Sequence, residues 1–281
     1  MVAAVASYVD ARHHGGTWLV RIEDVDQTRV VPGAEQQILN TLLAFGMQWD
    51  ERVVRQSERT ALYDEALDSL IERGAVYRCN CSRKLIAAMA RVGNEGPIYP
   101  GTCLRVPVPP GVAAAWRLRV TDAPVAIADR VLDSIVQNPA KEIGDFVVRR
   151  IDGFTAYQLA VVVDDQAQGV TDVVRGADLL WSTPRQVFLQ HLLGFHTPRY
   201  AHMPVVYGDN GHKLSKRDHA HPLDDAHPLP ALRAAWRWLG QIDAPDDITS
   251  PRAFWQWAVP RWNIGQVPQD RNNEHERPDS L

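Results

Sequence analysis

Short β-branched runs exchange with amphipathic helical stretches along most of this 281-residue chain, and that exchange limits the folds open to it. Thr17–Ile22 reads as a strand that runs straight into Glu23-Asp24-Val25-Asp26. Pro32 suits the first position of a helix whose apolar stripe is Ile38, Leu39, Leu42 and Leu43. A second helix starts from Ser57 as N-cap, turns Leu62, Leu67, Leu70 and Ile71 inward and stops at Gly74. Trp116–Val120, Val125–Ala128, Phe146–Arg150 and Thr171–Val174 read as strands, with Asp152-Gly153 a tight turn. Leu180–Leu193 reads as a long helix ended by Gly194, and Met203–Tyr207 as a strand leading into an Asp209-Asn210-Gly211 turn. Tyr157–Asp165 is so apolar that its pattern fits either a helix or a buried strand. The chain opens on a helix, Val2–His14, and closes on two, Pro230–Leu239 and Ser250-Pro251 through Val259. Such alternation predicts an α/β fold around an open, mostly parallel sheet, with ligands outside the carboxyl ends of its strands. Glu23, Tyr157, Arg175 and the loop beyond Tyr207 are the polar groups at those ends.

The balance of charge narrows the partners. A net charge of −4 excludes a molecule that binds polyanions over its whole surface, so any nucleic-acid contact must come from a local basic patch or from shape. Three clustered cysteines, Cys79, Cys81 and Cys103, do not make a disulfide framework and suit a reducing cytoplasm. No apolar run reaches membrane-spanning length, and no signal peptide is expected.

Only four of the 30 basic residues are lysines, Lys84, Lys141, Lys213 and Lys216, and two of these share one tetrapeptide. Lys213-Leu214-Ser215-Lys216 follows a strand and a glycine turn, where compact ammonium groups suit phosphate oxygens. Three further stretches precede it in order: Arg21-Ile22-Glu23-Asp24-Val25-Asp26, Tyr157 through Asp165, and Val174-Arg175-Gly176-Ala177-Asp178. Together they resemble the Rossmann-type catalytic body of the class I glutamyl-tRNA synthetases, and more narrowly the short stand-alone glutamyl-Q branch of that family. The resemblance covers about residues 1–240 and weakens towards Pro268.

The resemblance implies a two-step ligase. L-glutamate attacks ATP, which carries Mg²⁺, and the glutamyl group then passes to the queuosine in the anticodon of tRNA(Asp). Glu23, Tyr157 and Arg175 are implied to bind glutamate, Lys216 to contact ATP and Lys213 to assist. Read without the resemblance, Glu23 is a capping or ion-pair acid, Tyr157 a core aromatic and Arg175 a surface ion pair. Asp24 and Asp26 fit either kind of role.

The expected organisation is a catalytic domain over 1–230, interrupted by an insertion at 77–105, then a helical segment at 231–268 and a disordered tail at 269–281. In the insertion, closely spaced thiolates suit one structural, tetrahedral zinc ion. They leave one position open, which the resemblance fills with Tyr99. His219 and His221 match no zinc spacing. Trp236, Trp238, Trp255, Trp257 and Trp262 are expected to pack the terminal helices.

The chain also departs from the family. The first signature, a strand followed by a HIGH-type motif, is absent, and Met1–Tyr8 matches the helix that follows it; His13-His14 do not replace it. The expectation is that the natural start lies upstream. The alternatives are a truncated, non-catalytic zinc- and tRNA- or nucleotide-binding relative, or a glutamyl-tRNA synthetase fragment. A monomer is expected.

Overall fold

The computed structural model describes residues 1–93, 96–207 and 223–269. The expected Asp209–Gly211 turn, Lys213, Lys216, His219 and His221 lie outside the described residues, as does the tail from 270.

Helix α1 (Val2–His13) packs on a four-stranded sheet. In that sheet, strand β10 (Asp172–Gly176) pairs in parallel with β11 (Arg199–Met203). Strand β11 in turn meets β7 (Val125–Asp129) in parallel, and β8 (Asp133–Gln137) closes the sheet antiparallel to β7. A separate parallel pair joins β1 (Arg21–Ile22) and β2 (Val54–Arg55). A three-stranded antiparallel sheet of β3 (Val76–Cys79), β6 (Ala115–Leu118) and β9 (Phe146–Arg149) carries the insertion. The expected parallel pairing therefore describes β1-β2 and β10-β11-β7, whereas the insertion sheet and the β7-β8 hairpin are antiparallel.

Successive side chains of a strand point to opposite faces, and here that alternation builds two cores. On β10 and β11, Val174, Ala201 and Met203 face one core with α1. Helices α8 (Pro228–Trp238) and α9 (Pro251–Ala258) complete it. Val173 and Tyr200 face the other core. This one is filled by α3 (Thr60–Glu72), α6 (Tyr157–Ala167) and α7 (Thr183–Leu193). Trp236, Trp255 and Trp262 are buried among the terminal helices as expected, while Trp238 stays exposed.

Several local expectations need correction. The ambiguous segment from Tyr157 is helical; Leu159–Val163 are all buried, so tertiary packing overrides the low helix propensity of three consecutive valines. The helix after Pro32 is α2 (Ala34–Ala44), with Gly33 in the left-handed region before it, and Ile38 and Leu43 face solvent. Ser57 does not cap α3; it lies in a 3₁₀ turn, Gln56–Glu58, and binds Asp24 instead. The expected helix from Leu180 splits into a 3₁₀ turn, Ala177–Ser182, and α7, because Pro184 belongs in a first helical turn. The strand expected at Met203–Tyr207 lies four residues earlier, and β8 was not foreseen.

Candidate functional site

A cleft of about 540 Å³ separates β1 from β10. Arg21, Glu23, Asp165, Gln168 and Asp172 are among its lining residues. Neither β1 nor β10 has a second strand partner among the described residues, so both present a backbone edge to this cleft. Arg21 spans it: Nη2 lies 2.9 Å from Asp165, Nη1 donates to Gln168 Oε1 at 2.9 Å, and Glu23 is 3.7 Å away.

Glu23 directly follows β1, Tyr157 starts α6 and Arg175 lies on β10, and they stand close enough for the Arg175 charge to act on both Glu23 and Tyr157. Only Glu23 of the three lines the cleft. Its side chain keeps 43% of its surface. Desolvation pushes its carboxyl above the usual range and Asp165 adds to this, against the pull of Arg21 and Arg175. Burial likewise raises the Tyr157 hydroxyl, helped by Glu23 and opposed by Arg175 and a hydrogen bond with Gln186. Asp165 is raised by burial despite its pairing with Arg21. A raised carboxyl beside an arginine, lining a cleft, marks Glu23 as a candidate site residue.

Asp24 and Asp26 have structural partners. Asp24 accepts the Ser57 N–H at 2.9 Å and its hydroxyl at 2.6 Å, pinning the end of β1 to the next turn. Asp26 caps the 3₁₀ turn Gln27–Arg29 and pairs with Arg150.

In the insertion, Cys79 ends β3, Cys81 follows, and Cys103 sits in the short helix α5 (Thr102–Arg105). Their sulfur atoms lie within 4.8 Å of one another. The Tyr99 oxygen is 3.4 Å from both Cys79 Sγ and Cys81 Sγ and accepts the Cys103 N–H at 2.8 Å. Three thiols this close fit one zinc-sized ion, and the Tyr99 oxygen stands beside two of them. The Arg117 guanidinium lies 3.9 Å over the Tyr99 ring, a cation beside a group of potential anions. Burial raises the Cys79 thiol, but hydrogen bonds from Tyr99 and Arg117 bring it down to about 7.

Comparison with known proteins places this geometry. The model of the class I tRNA synthetase (E and Q) catalytic domain matches residues 2–227. A glutamyl-Q tRNA(Asp) synthetase of Neisseria meningitidis serogroup C is 48% identical over 96% of this chain and 92% of its own length. One from Chromobacterium violaceum is 50% identical over 94% of this chain and 89% of its own. The chain belongs to the glutamyl-Q tRNA(Asp) synthetase family. Among solved structures, the glutamate–tRNA synthetase of Elizabethkingia anophelis superposes with a TM-score of 0.74 at 24% identity, which establishes the class I synthetase fold. The match covers 96% of this chain but 63% of that protein, so the chain spans less than two thirds of its length.

Class I synthetases of this family are ligases, and the site holds polar groups that the resemblance did not mark. Gln186 hydrogen-bonds Gln158, which bonds Ser182, a buried amide chain beside Tyr157. Asp129, Thr183 and His202 gather behind Arg175. His202 carries no local signal in the sequence, because the strand holding it was expected to begin at the next residue. Among the described residues no helix is long and apolar enough to cross a membrane.

Proposed function

We propose that this chain activates L-glutamate with ATP and transfers the glutamyl group to the queuosine in the anticodon of tRNA(Asp). The observation that carries this reading is near-full-length identity of 48% and 50% to relatives of that name. The site supports it. The Arg175 guanidinium offers a cation to a substrate carboxylate, Glu23 offers an acid to an α-ammonium, and Tyr157 adjoins both.

In this reading a carboxylate oxygen of glutamate attacks the α-phosphorus of ATP, and pyrophosphate leaves. A hydroxyl of the queuosine cyclopentenediol then attacks the activated carbonyl carbon, and AMP leaves. Lys213 and Lys216 are assigned to the phosphates, with Lys216 in contact with ATP, where ammonium groups stabilise charge growing in the transition state. Mg²⁺ accompanies ATP. Cys79, Cys81, Cys103 and Tyr99 would hold one zinc ion that ties the insertion together. The chain acts as a monomer in the cytoplasm, where tRNA(Asp) is found.

The test uses labelled glutamate, ATP and tRNA(Asp), with and without queuosine. After nuclease cleavage, label is expected in the anticodon fragment of the queuosine-bearing tRNA alone. Label on the terminal adenosine would overturn the acceptor, and absence of glutamate-dependent ATP–pyrophosphate exchange would overturn the activation step.

A further inference from the structure

Arg175 is held from behind by a buried polar chain. Parallel pairing sets Arg175 opposite His202 on adjacent strands. Arg175 Nε donates to His202 Nε2 at 3.2 Å, and Nη2 donates to Thr183 Oγ1 at 2.7 Å. On the far side of the ring, His202 Nδ1 lies 2.6 Å from Asp129 Oδ2, and both of these side chains are fully buried. The other Asp129 oxygen accepts the backbone N–H groups of Val131 and Leu132 at 2.9 Å and of His202 at 3.3 Å. The Tyr200 ring stacks on the imidazole at 6.1 Å.

These contacts favour one arrangement of protons. The Thr183 hydroxyl, 3.1 Å from His202 Nε2, can donate or accept, but a guanidinium N–H can only donate, so the Arg175 contact places the lone pair on Nε2. The single ring proton then sits on Nδ1 and points at the Asp129 carboxylate. A planar guanidinium fixed at Nε and Nη2 has the direction of Nη1 fixed as well.

We propose that His202 is a positioning residue for substrate recognition: held as the Nδ1–H tautomer by Asp129, it aims the Arg175 guanidinium at the carboxylate of the amino-acid substrate. The proposal rests on the reading that Arg175 binds that carboxylate, and it assigns the aim of the arginine to a pair of residues that do not touch substrate.

Asp129→Asn is the decisive variant. Three backbone N–H groups face Oδ1, so the asparagine must leave its oxygen there and turn its NH₂ towards His202 Nδ1. The ring proton then moves to Nε2, where it opposes the Arg175 Nε–H. The measurements are glutamate affinity by calorimetry, ¹⁵N NMR of the imidazole, and ATP affinity as a control. In the wild type the NMR should report Nδ1–H. Asp129→Asn should switch it to Nε2–H and weaken glutamate binding about ten-fold or more, with ATP binding unchanged. His202→Gln, whose oxygen replaces the Nε2 acceptor, should stay within about three-fold of wild type, whereas His202→Leu should match Asp129→Asn. Wild-type glutamate affinity in Asp129→Asn, or a wild-type ring proton on Nε2, would overturn the proposal. Arg175→Ala separates the two readings. If it leaves glutamate binding intact, the underlying assignment fails; if it abolishes binding while Asp129→Asn does not, only the positioning role fails.

Discussion

Asp164 accepts hydrogen bonds from Gln56 Nε2 and from the Tyr63 hydroxyl, both at 2.8 Å, and an ion-paired one from Arg59, with no exposed surface of its own. Its neighbour Asp165 takes Arg21. Two consecutive buried carboxylates on α6 thus anchor β1, the turn after β2 and α3 from one point. Asp164→Asn should leave Arg59 uncompensated and cost about 3 kcal/mol, read as a lower urea midpoint at unchanged slope. A second residue-scale expectation concerns acid. Burial lowers the His202 pKa, Arg175 lowers it further, and Asp129 and Asp178 oppose. The unfolded chain therefore binds a proton below about pH 6.5 that the folded chain refuses. Stability from this group is whole above the unfolded pKa and is lost as pH falls from there to the folded value. Glu23 and Asp165, both raised, act with the opposite sign, since their contribution is lost as pH rises. The measurement is accordingly a difference. Urea midpoints of wild type should fall between about pH 6.5 and 5 more steeply than those of His202→Gln, and parallel curves would exclude the assignment.

At the scale of elements, what the sequence made legible depended on local signals. The Ser250 cap and Pro251 marked α9, and Gly74 and Gly194 marked the ends of α3 and α7. Strand β8 was missed because its pairing depends on a turn in which Asp129 holds the Val131 and Leu132 N–H groups, and nothing apolar alternates in Asp133–Gln137. Glu23, Tyr157 and Arg175 were candidates as polar groups at expected strand ends, but their roles came only through resemblance to a family; by local pattern an apolar helix start and a strand-end arginine are ordinary. His202 was invisible because its meaning comes from register with β10, a non-local fact. The thiol cluster was legible because cysteine spacing is itself local. There, zinc should be present at about one ion per chain by atomic emission. Cys103→Ser should abolish it, with a fall in thermal midpoint of about 2–4 °C for each kcal/mol lost. Tyr99→Phe should weaken retention against a chelator less than Cys103→Ser does, since a phenolate is the poorest of the four donors.

Across the whole molecule, the strand alternation that separates the two cores also couples them. Met203 is fully buried in the core of α1, α8 and α9, while Tyr200, three residues earlier on β11, is buried in the core of α3, α6 and α7. Both ends of the described chain meet in the first core. Asp10 of α1 takes both Arg130 nitrogens, at 2.7 and 2.9 Å, and the Trp262 Nε1–H at 2.9 Å. Trp255 Nε1 reaches the Phe45 carbonyl at 2.8 Å. The helical end of the chain is thus bound into the body by buried polar contacts as well as by apolar ones. Neither core can lose its packing without uncovering one face of β10 and β11, so the two should melt together. The buried tryptophans make this measurable. Trp18, Trp236, Trp255 and Trp262 all belong to the first core, whereas far-UV dichroism reports the helices of both. Urea transitions followed by the two probes should superimpose. Met203→Ala should shift both by the same amount, corresponding to about 2–5 kcal/mol. A fluorescence transition that moved alone would mean that the cores unfold separately and that the shared sheet does not couple them.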